Sequence, residues 1–349
     1  MKNKKIFIVG WYGTETVGDK AILGGIISDI QSHYPNASFT ISSLYPFVTK
    51  QTLIELQINA KIVPAFSMGF VKSAISSHLV IMGGGPLMDL EVLSIPLWAF
   101  LLAKLFHKKT IVWGCGLGPL TQSKYLNAVK KILTIATEIK LRDSASVKWA
   151  QQLTGRNDIE LIGDPAKEFV KRRRLEISKI VSHDIISKPT LACYLRDWPK
   201  DYARHLENDQ FHKIKNLFEL NLSKHIRKIS KEHDLLPVFY PMHNFSVGND
   251  DRIYNRYFSS MYLSDIKTYC VISPTNVDFI IKSMMQANLC ICMRFHSVLF
   301  AHVLNKNFVA IDYTNGEKIL GFLRDEDALE RYTTIQEIAL GNSILFNKR

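Results

Sequence analysis

The chain has no run apolar enough to cross a bilayer. Its most hydrophobic window, Leu93–Phe106, spans fourteen residues and is closed by His107-Lys108-Lys109; a spanning helix needs roughly twenty. A core helix is the expectation there, and an interfacial helix the alternative. Cysteine is scarce: Cys115, Cys193, Cys270, Cys290 and Cys292 form an odd set without a C-x-x-C pair, which argues against a disulfide framework or a common zinc module. Cys290 and Cys292 alternate along a strand-like run and share one face of it, as reduced buried residues do. The apolar run Ile6–Val9 is too short for a signal-peptide core. The expected setting is therefore cytoplasmic, at the inner face of the membrane if Leu93–Phe106 is interfacial. Acidic charge is also in deficit, with 44 Lys and Arg against 32 Asp and Glu, a net charge of +12 and a pI near 9.3. That balance favours anionic partners. The basic clusters Lys2–Lys5, Lys104–Lys109 and Lys171–Arg174 are scattered and not interleaved with aromatics, so nucleic acid is not expected.

What the chain does have is strand-like runs ending in glycine, each followed by a helical pattern. Lys5–Val9 leads into Gly10-Trp11-Tyr12-Gly13-Thr14-Glu15-Thr16-Val17-Gly18-Asp19. The glycine spacing fits neither the dinucleotide fingerprint nor the P-loop. His78–Met82 runs into Gly83-Gly84-Gly85-Pro86, and Lys109–Trp113 into Gly114-Cys115-Gly116-Leu117-Gly118-Pro119. Such glycines suit tight turns or a ligand pressed against bare backbone, which makes Gly13, Gly84 and Gly85 binding candidates. Asp19 falls in the first helical turn, as a cap or as an acid–base group. Ser144 is a plausible helix N-cap. Alternating strands and helices predict a parallel sheet covered on both faces.

Lys167–Lys188 is charged and reads as a linker, giving domains 1–180 and 189–349. The pattern then restarts. Thr190–Leu195 ends in Arg196, Leu235–Tyr240 runs into Pro241-Met242-His243, and Ala287–Cys292 ends in Met293-Arg294-Phe295-His296. Val309–Tyr313 gives a last strand before Thr314-Asn315-Gly316-Glu317-Lys318. In open α/β sheets ligands bind at the carboxyl ends of strands. Arg294 and His296 lie where a strand gives way to a helix N-terminus, so an anion is the natural occupant. The alternative is that Arg294 forms a structural ion pair and His296 satisfies a helix end. Polar groups at three strand ends argue for a shared site.

Taken together, G-W-Y-G-T-E-T-V-G-D-K-A-I-L at 10–23, M-G-G-G-P-L-M-D at 82–89, G-C-G-L-G-P-L at 114–120, L-R-D-S-A-S at 141–146, G-D-P-A at 163–166, P-M-H at 241–243 and M-R-F-H-S-V-L-F-A at 293–301 resemble the polysaccharide pyruvyl transferase family. The resemblance implies two Rossmann-like domains in a GT-B-like arrangement with the active site in the interdomain cleft. It implies transfer of a pyruvyl group from phosphoenolpyruvate to a saccharide acceptor, free or lipid-linked, without a metal or other cofactor. Arg294 and His296 match the family's donor-binding motif, with Phe295 between them, and Arg196 matches a further arginine. His296 becomes the candidate acid or the partner of the departing phosphate, and Asp19, with Asp89 behind it, the candidate base. Thr16 and Lys20 depart from the family's usual asparagine and glutamate. A GT-B glycosyltransferase using a nucleotide sugar, or a non-catalytic sugar-phosphate binding protein, are the competing expectations.

Overall fold

A computed structural model describes residues 4–85, 87–118, 120–180, 188–314, 317–344 and 346. Lys2, Pro86, Pro119, the 181–187 part of the expected linker and Asn315-Gly316 lie outside them. The chain divides into two compact units, Met1–Phe169 and Val170–Arg349.

In the first unit β1 (Lys5–Val9), α1 (Val17–His33), β2 (Ser38–Ser43), α2 (Pro46–Glu55), β3 (Ala60–Pro64), α3 (Met68–Ser76) and β4 (Leu79–Gly83) come first. They are followed by α4 (Ser94–Leu105), β5 (Lys109–Cys115), α5 (Ser123–Ile135), β6 (Glu138–Leu141), α6 (Ser144–Thr154), β7 (Ile159–Leu161) and α7 (Pro165–Ile180). The seven strands are all parallel, in the order β3-β2-β1-β4-β5-β6-β7. The order reverses direction between β1 and β4, so the two glycine loops that follow these strands flank the switch point. β1 and β4 are near-continuous apolar runs because both sheet faces are covered. Phe7, Val9, Val80, Met82 and Val112 face a core shared with α3 to α6.

The second unit contains β8 (Thr190–Tyr194), α8 (Asn208–His233), β9 (Leu236–Phe239), α9 (Asp251–Tyr262), β10 (Tyr269–Cys270) and α10 (Val277–Gln286). Then come β11 (Leu289–Cys292), α11 (Phe295–Val303), β12 (Phe308–Asp312), α12 (Glu317–Asp325), β13 (Tyr332–Thr334) and α13 (Ile335–Ala339). Its six strands are also parallel, in the order β10-β9-β8-β11-β12-β13. Here the reversal falls between β8 and β11, the strands that precede Arg196 and Arg294.

Two local expectations change, and the one for the strand cysteines holds. Most of the expected linker is helix α7, and the division between the units falls inside it. Ala166, Phe169, Val170 and Ile177 are buried while the basic run between them is not, so a one-sided helix reads as solvated chain. Asp143 caps α6 by accepting the Ser146 N–H at 2.7 Å; Ser144 is the first helical residue. Cys290 and Cys292 are both buried, and burial pushes the Cys290 thiol up to about 12.

Candidate functional site

Four neighbouring strands of the second unit, β9, β8, β11 and β12, end in His243, Arg196, Arg294 and Tyr313 or the residues just before them. Arg294 is the N-cap of α11, with extended backbone (φ −75°, ψ 140°), and its carbonyl accepts the Ser297 hydroxyl at 2.6 Å. Its guanidinium grips Asp251: Nε donates to one carboxylate oxygen at 2.7 Å and Nη2 to the other at 2.6 Å. Asp251 is 1% exposed and also accepts the backbone N–H groups of Met242 at 3.1 Å and His243 at 3.0 Å. One carboxylate thus ties the β9 loop, the start of α9 and the end of β11 together. The ion pair held open as an alternative for Arg294 is present, and Nη1 takes no part in it.

Arg196 is bound differently. It is 6% exposed, its guanidinium carbon lies 4.3 Å from the centre of the Tyr313 ring and 5.4 Å from that of Tyr202, and Nε donates to the Asp197 carbonyl at 3.1 Å. The two rings meet edge to face at 5.1 Å. Among the described residues no carboxylate pairs with Arg196; the Asp197 carboxylate is bound to Lys215 at 2.5 Å. It is a buried cation bracketed by aromatic faces, with the Asp251 carboxylate acting on it from outside contact distance, and burial without a contacting anion is costly. Burial and Tyr313 hold the Tyr202 phenol above its ordinary value, while the charges of Arg196 and Arg294 pull it back. One hydroxyl therefore feels both guanidinium groups.

His296 stands in the first turn of α11, half-buried, its ring 5.1 Å from that of Phe295. The Phe295 ring is 3% exposed, packs edge-on to Phe322 at 5.6 Å and lies under the Lys318 ammonium at 5.0 Å, so its packing is internal. His243 is also turned inward: it is 2% exposed and its Nε2 lies 2.7 Å from the Val247 carbonyl. Its visible part is to hold the loop that carries Asp251.

In the first unit the candidate residues serve the loops themselves. Asp19 is the third residue of a reciprocal cap: its Oδ2 accepts the Thr16 N–H at 3.0 Å and hydroxyl at 2.8 Å, and its own N–H donates back to Thr16 Oγ1 at 3.2 Å. Of its two expected roles it fills the capping one. Lys20 pairs with Glu55 at 2.6 Å, joining α1 to α2, so both departures from the family pattern have internal partners. Gly85 has φ +78°, and a Cβ there would lie 2.2 Å from Trp11; at Gly13 (φ +103°) it would lie 2.2 Å from the Tyr45 nitrogen. Gly84 likewise faces Tyr12, whose hydroxyl donates to the Gly83 carbonyl at 2.6 Å. The first two glycine loops are pressed against each other and against the end of β2.

Four site residues escaped the sequence reading. Asp251, Tyr202 and Tyr313 carry no pattern in the sequence that sets them apart. Glu15 sits in the first loop, 4% exposed, and accepts the Thr49 hydroxyl at 2.5 Å. Burial pushes its carboxyl above the usual range. The signal available for Glu15 was an acidic residue inside an otherwise apolar and glycine-rich loop.

Comparison with known proteins bears on these observations. Solved structures with the same architecture include the UDP-GlcNAc 2-epimerase from Methanocaldococcus jannaschii (13% identity, 99% of this chain and 94% of that one, TM-score 0.60). The UDP-GlcNAc 2-epimerase from Neisseria meningitidis bound to UDP-GlcNAc is similar at 13% identity, 96% and 94% coverage and TM-score 0.59. Anabaena Alr3699/HepE in complex with UDP and glucose follows at 11% identity, 98% and 96% coverage and TM-score 0.55. The chain therefore has two parallel-sheet α/β domains of the GT-B-like kind. A search of curated proteins finds no match. The model of the family described as polysaccharide pyruvyl transferase matches residues 17–315, a span that holds Arg196, Asp251 and the Arg294-Phe295-His296 strand end. By that match over most of its length, the chain belongs to the polysaccharide pyruvyl transferase family.

Proposed function

We propose that the chain transfers a pyruvyl group from phosphoenolpyruvate to a pair of hydroxyls on a saccharide, in the making of a cell-surface polysaccharide. The observation that carries this reading is Arg196, a buried guanidinium with aromatic faces on two sides and no carboxylate partner among the described residues. A small dianion compensates such a charge, and a carboxylate or phosphate matches its fork. Arg294 adds a second positive charge, held in place by Asp251 with Nη1 outside that pair. The first-turn N–H groups of α11 favour negative charge at the same strand end.

The chemistry is an addition followed by a substitution. The methylene carbon of phosphoenolpyruvate takes up a proton, and one sugar hydroxyl adds to C2 as it gives up its own. The C2–O bond to phosphate then breaks, and the second hydroxyl closes the ketal. The diol loses two protons; one ends in the new methyl group and one on the released phosphate. His296, at the mouth of α11, is the group assigned to deliver the first proton or to receive the departing phosphate.

Thermal unfolding with added ligands tests the reading. A ligand at a hundredfold excess over its dissociation constant stabilises by about 2.7 kcal/mol. Phosphoenolpyruvate is expected to raise the unfolding temperature of the wild type and to lose that effect in Arg196→Met. Protection by UDP or a UDP-sugar with none from phosphoenolpyruvate would replace this reading with a nucleotide-sugar transferase.

A further inference from the structure

In the first unit α3, α4, α5 and α6 pack side by side on one face of the sheet, through the core that contains Phe70, Phe100, Ile132 and Ala150. These four helices contain no aspartate or glutamate. They contain six lysines (Lys72, Lys104, Lys124, Lys130, Lys131 and Lys148), all exposed. The other helices flanking this sheet are mixed: α1 carries Asp19 and Asp29 beside Lys20, and α2 carries Glu55 beside Lys50. The acidic groups whose charge acts on Lys124, Glu91 and Asp89, precede α4 in the chain.

The middle helix of this layer is amphipathic in the wrong sense for a solvated face. Ile95, Ala99, Phe100 and Ala103 point into the core. Trp98 and Leu105, two turns apart, stand outward at 54% and 70% exposed, while Leu101 and Leu102 between them are half-buried and pack partly against the core. Phe106 follows, also exposed, and Met68 at the start of neighbouring α3 is 82% exposed. With twelve residues α4 is too short to span a bilayer, and no helix among the described residues is long and apolar enough to do so. A tryptophan and leucines at the centre of an acid-free, lysine-bearing layer fit the acyl–headgroup boundary of an anionic membrane.

We propose that the α3–α6 face docks the protein on an anionic lipid surface, with Trp98, Leu105 and Phe106 entering the interface and the lysines meeting the headgroups. The proposal does not depend on which reaction the second unit carries out. Sedimentation of the full chain with vesicles tests it, using phosphatidylcholine alone and phosphatidylcholine mixed with phosphatidylglycerol. The wild type is expected to sediment with the mixed vesicles and to stay in solution with the neutral ones. Trp98→Ser/Leu105→Gln and Lys130→Glu/Lys131→Glu should each lower binding by roughly tenfold or more. Ile253→Ser, which removes an equally exposed apolar residue of the second unit, should leave binding unchanged. All four proteins should keep the wild-type circular dichroism, because every altered side chain is exposed. The proposal fails if the wild type ignores the mixed vesicles, binds both compositions equally, or loses as much binding through Ile253→Ser. It also fails if the wild type is a dimer that Trp98→Ser/Leu105→Gln dissolves, which would make the face a contact between two copies.

Discussion

Asp251 is the anchor on which the geometry of Arg294 depends, and its removal should be felt in both stability and ligand binding. The carboxylate is 1% exposed and takes four N–H donors, two from Arg294 and two from the backbone of Met242 and His243. Removing one member of a buried ion pair leaves the other charged, desolvated and unpaired, which costs about 3–5 kcal/mol. For a unit of this size each kcal/mol moves the unfolding temperature by roughly 2–4 °C. Arg294→Met and Asp251→Asn should therefore each lower the transition of the second unit by about 6–20 °C. The double variant removes both charges together while the asparagine oxygen can still serve the backbone donors. Its loss should fall short of the sum of the single losses by about 1–3 kcal/mol. Denaturant unfolding of the four proteins in a double-mutant cycle gives that number. Additive losses, or single variants within about 1 kcal/mol of the wild type, would refute the claim that this pair organises the site.

Glu15 supplies a pH test. Burial raises its carboxyl in the fold, so its favourable contribution is complete below the ordinary carboxyl value of 4.5 and is lost as pH rises through the folded value. Glu15→Gln should thus gain stability relative to wild type as pH climbs above that ordinary value; a pH-independent difference in thermal unfolding would contradict this. Thr16→Ala removes one half of the reciprocal cap of α1 and should cost about 1 kcal/mol, and Asp19→Asn should behave alike in melting experiments. If Asp19→Asn instead melts normally but abolishes turnover, its carboxylate belongs to the chemistry. Gly85→Ala meets both a positive φ and the Trp11 ring at 2.2 Å, and should cost about 1–3 kcal/mol; an unchanged denaturation midpoint would show that the loop yields freely.

The parts of the fold legible in the sequence are those where burial leaves one pattern. Strands covered on both faces, such as Ile6–Val9 and Val80–Met82, are unbroken apolar runs that end abruptly in glycine. β13 escaped notice because its three residues are only half-buried and form no run. The 165–180 helix was hidden by its own charge, since only a narrow stripe of it is buried. In the site, Arg294, His296 and Arg196 were readable because cations directly after buried strands stand out. Asp251 was not, because its partnership with Arg294 joins residues 43 apart in the chain and exists only after β9 and β11 are placed in one sheet. The glycines illustrate a different limit. Their presence marks close approach, and the neighbours that approach them, Trp11, Tyr12 and Tyr45, become visible only in three dimensions.

The two arginines, alike in the sequence, are unlike in the fold, and the difference can be measured. Arg294 already has an anion: its Nε and Nη2 edge is taken by Asp251. Arg196 has no carboxylate in contact among the described residues, feeling Asp251 only from a distance, and its Nε is directed at its own neighbour's carbonyl. A planar fork that stacks on tyrosine faces is not replaced by the ammonium of lysine. Arg196→Lys should therefore act mainly on ligand binding. Loss of one charge-assisted hydrogen bond, about 1.5–3 kcal/mol, weakens phosphoenolpyruvate binding by roughly tenfold to a hundredfold, with little change in melting, because no protein carboxylate is left behind. Arg294→Lys should act first on stability, since the bidentate grip on a buried carboxylate is lost before any ligand arrives. Titration calorimetry with phosphoenolpyruvate, alongside thermal unfolding of both variants, separates the two. If Arg294→Lys loses affinity at unchanged stability while Arg196→Lys unfolds early and binds normally, the fork that receives the donor is the one at β11, and Arg196 is held by its tyrosines for structural reasons alone.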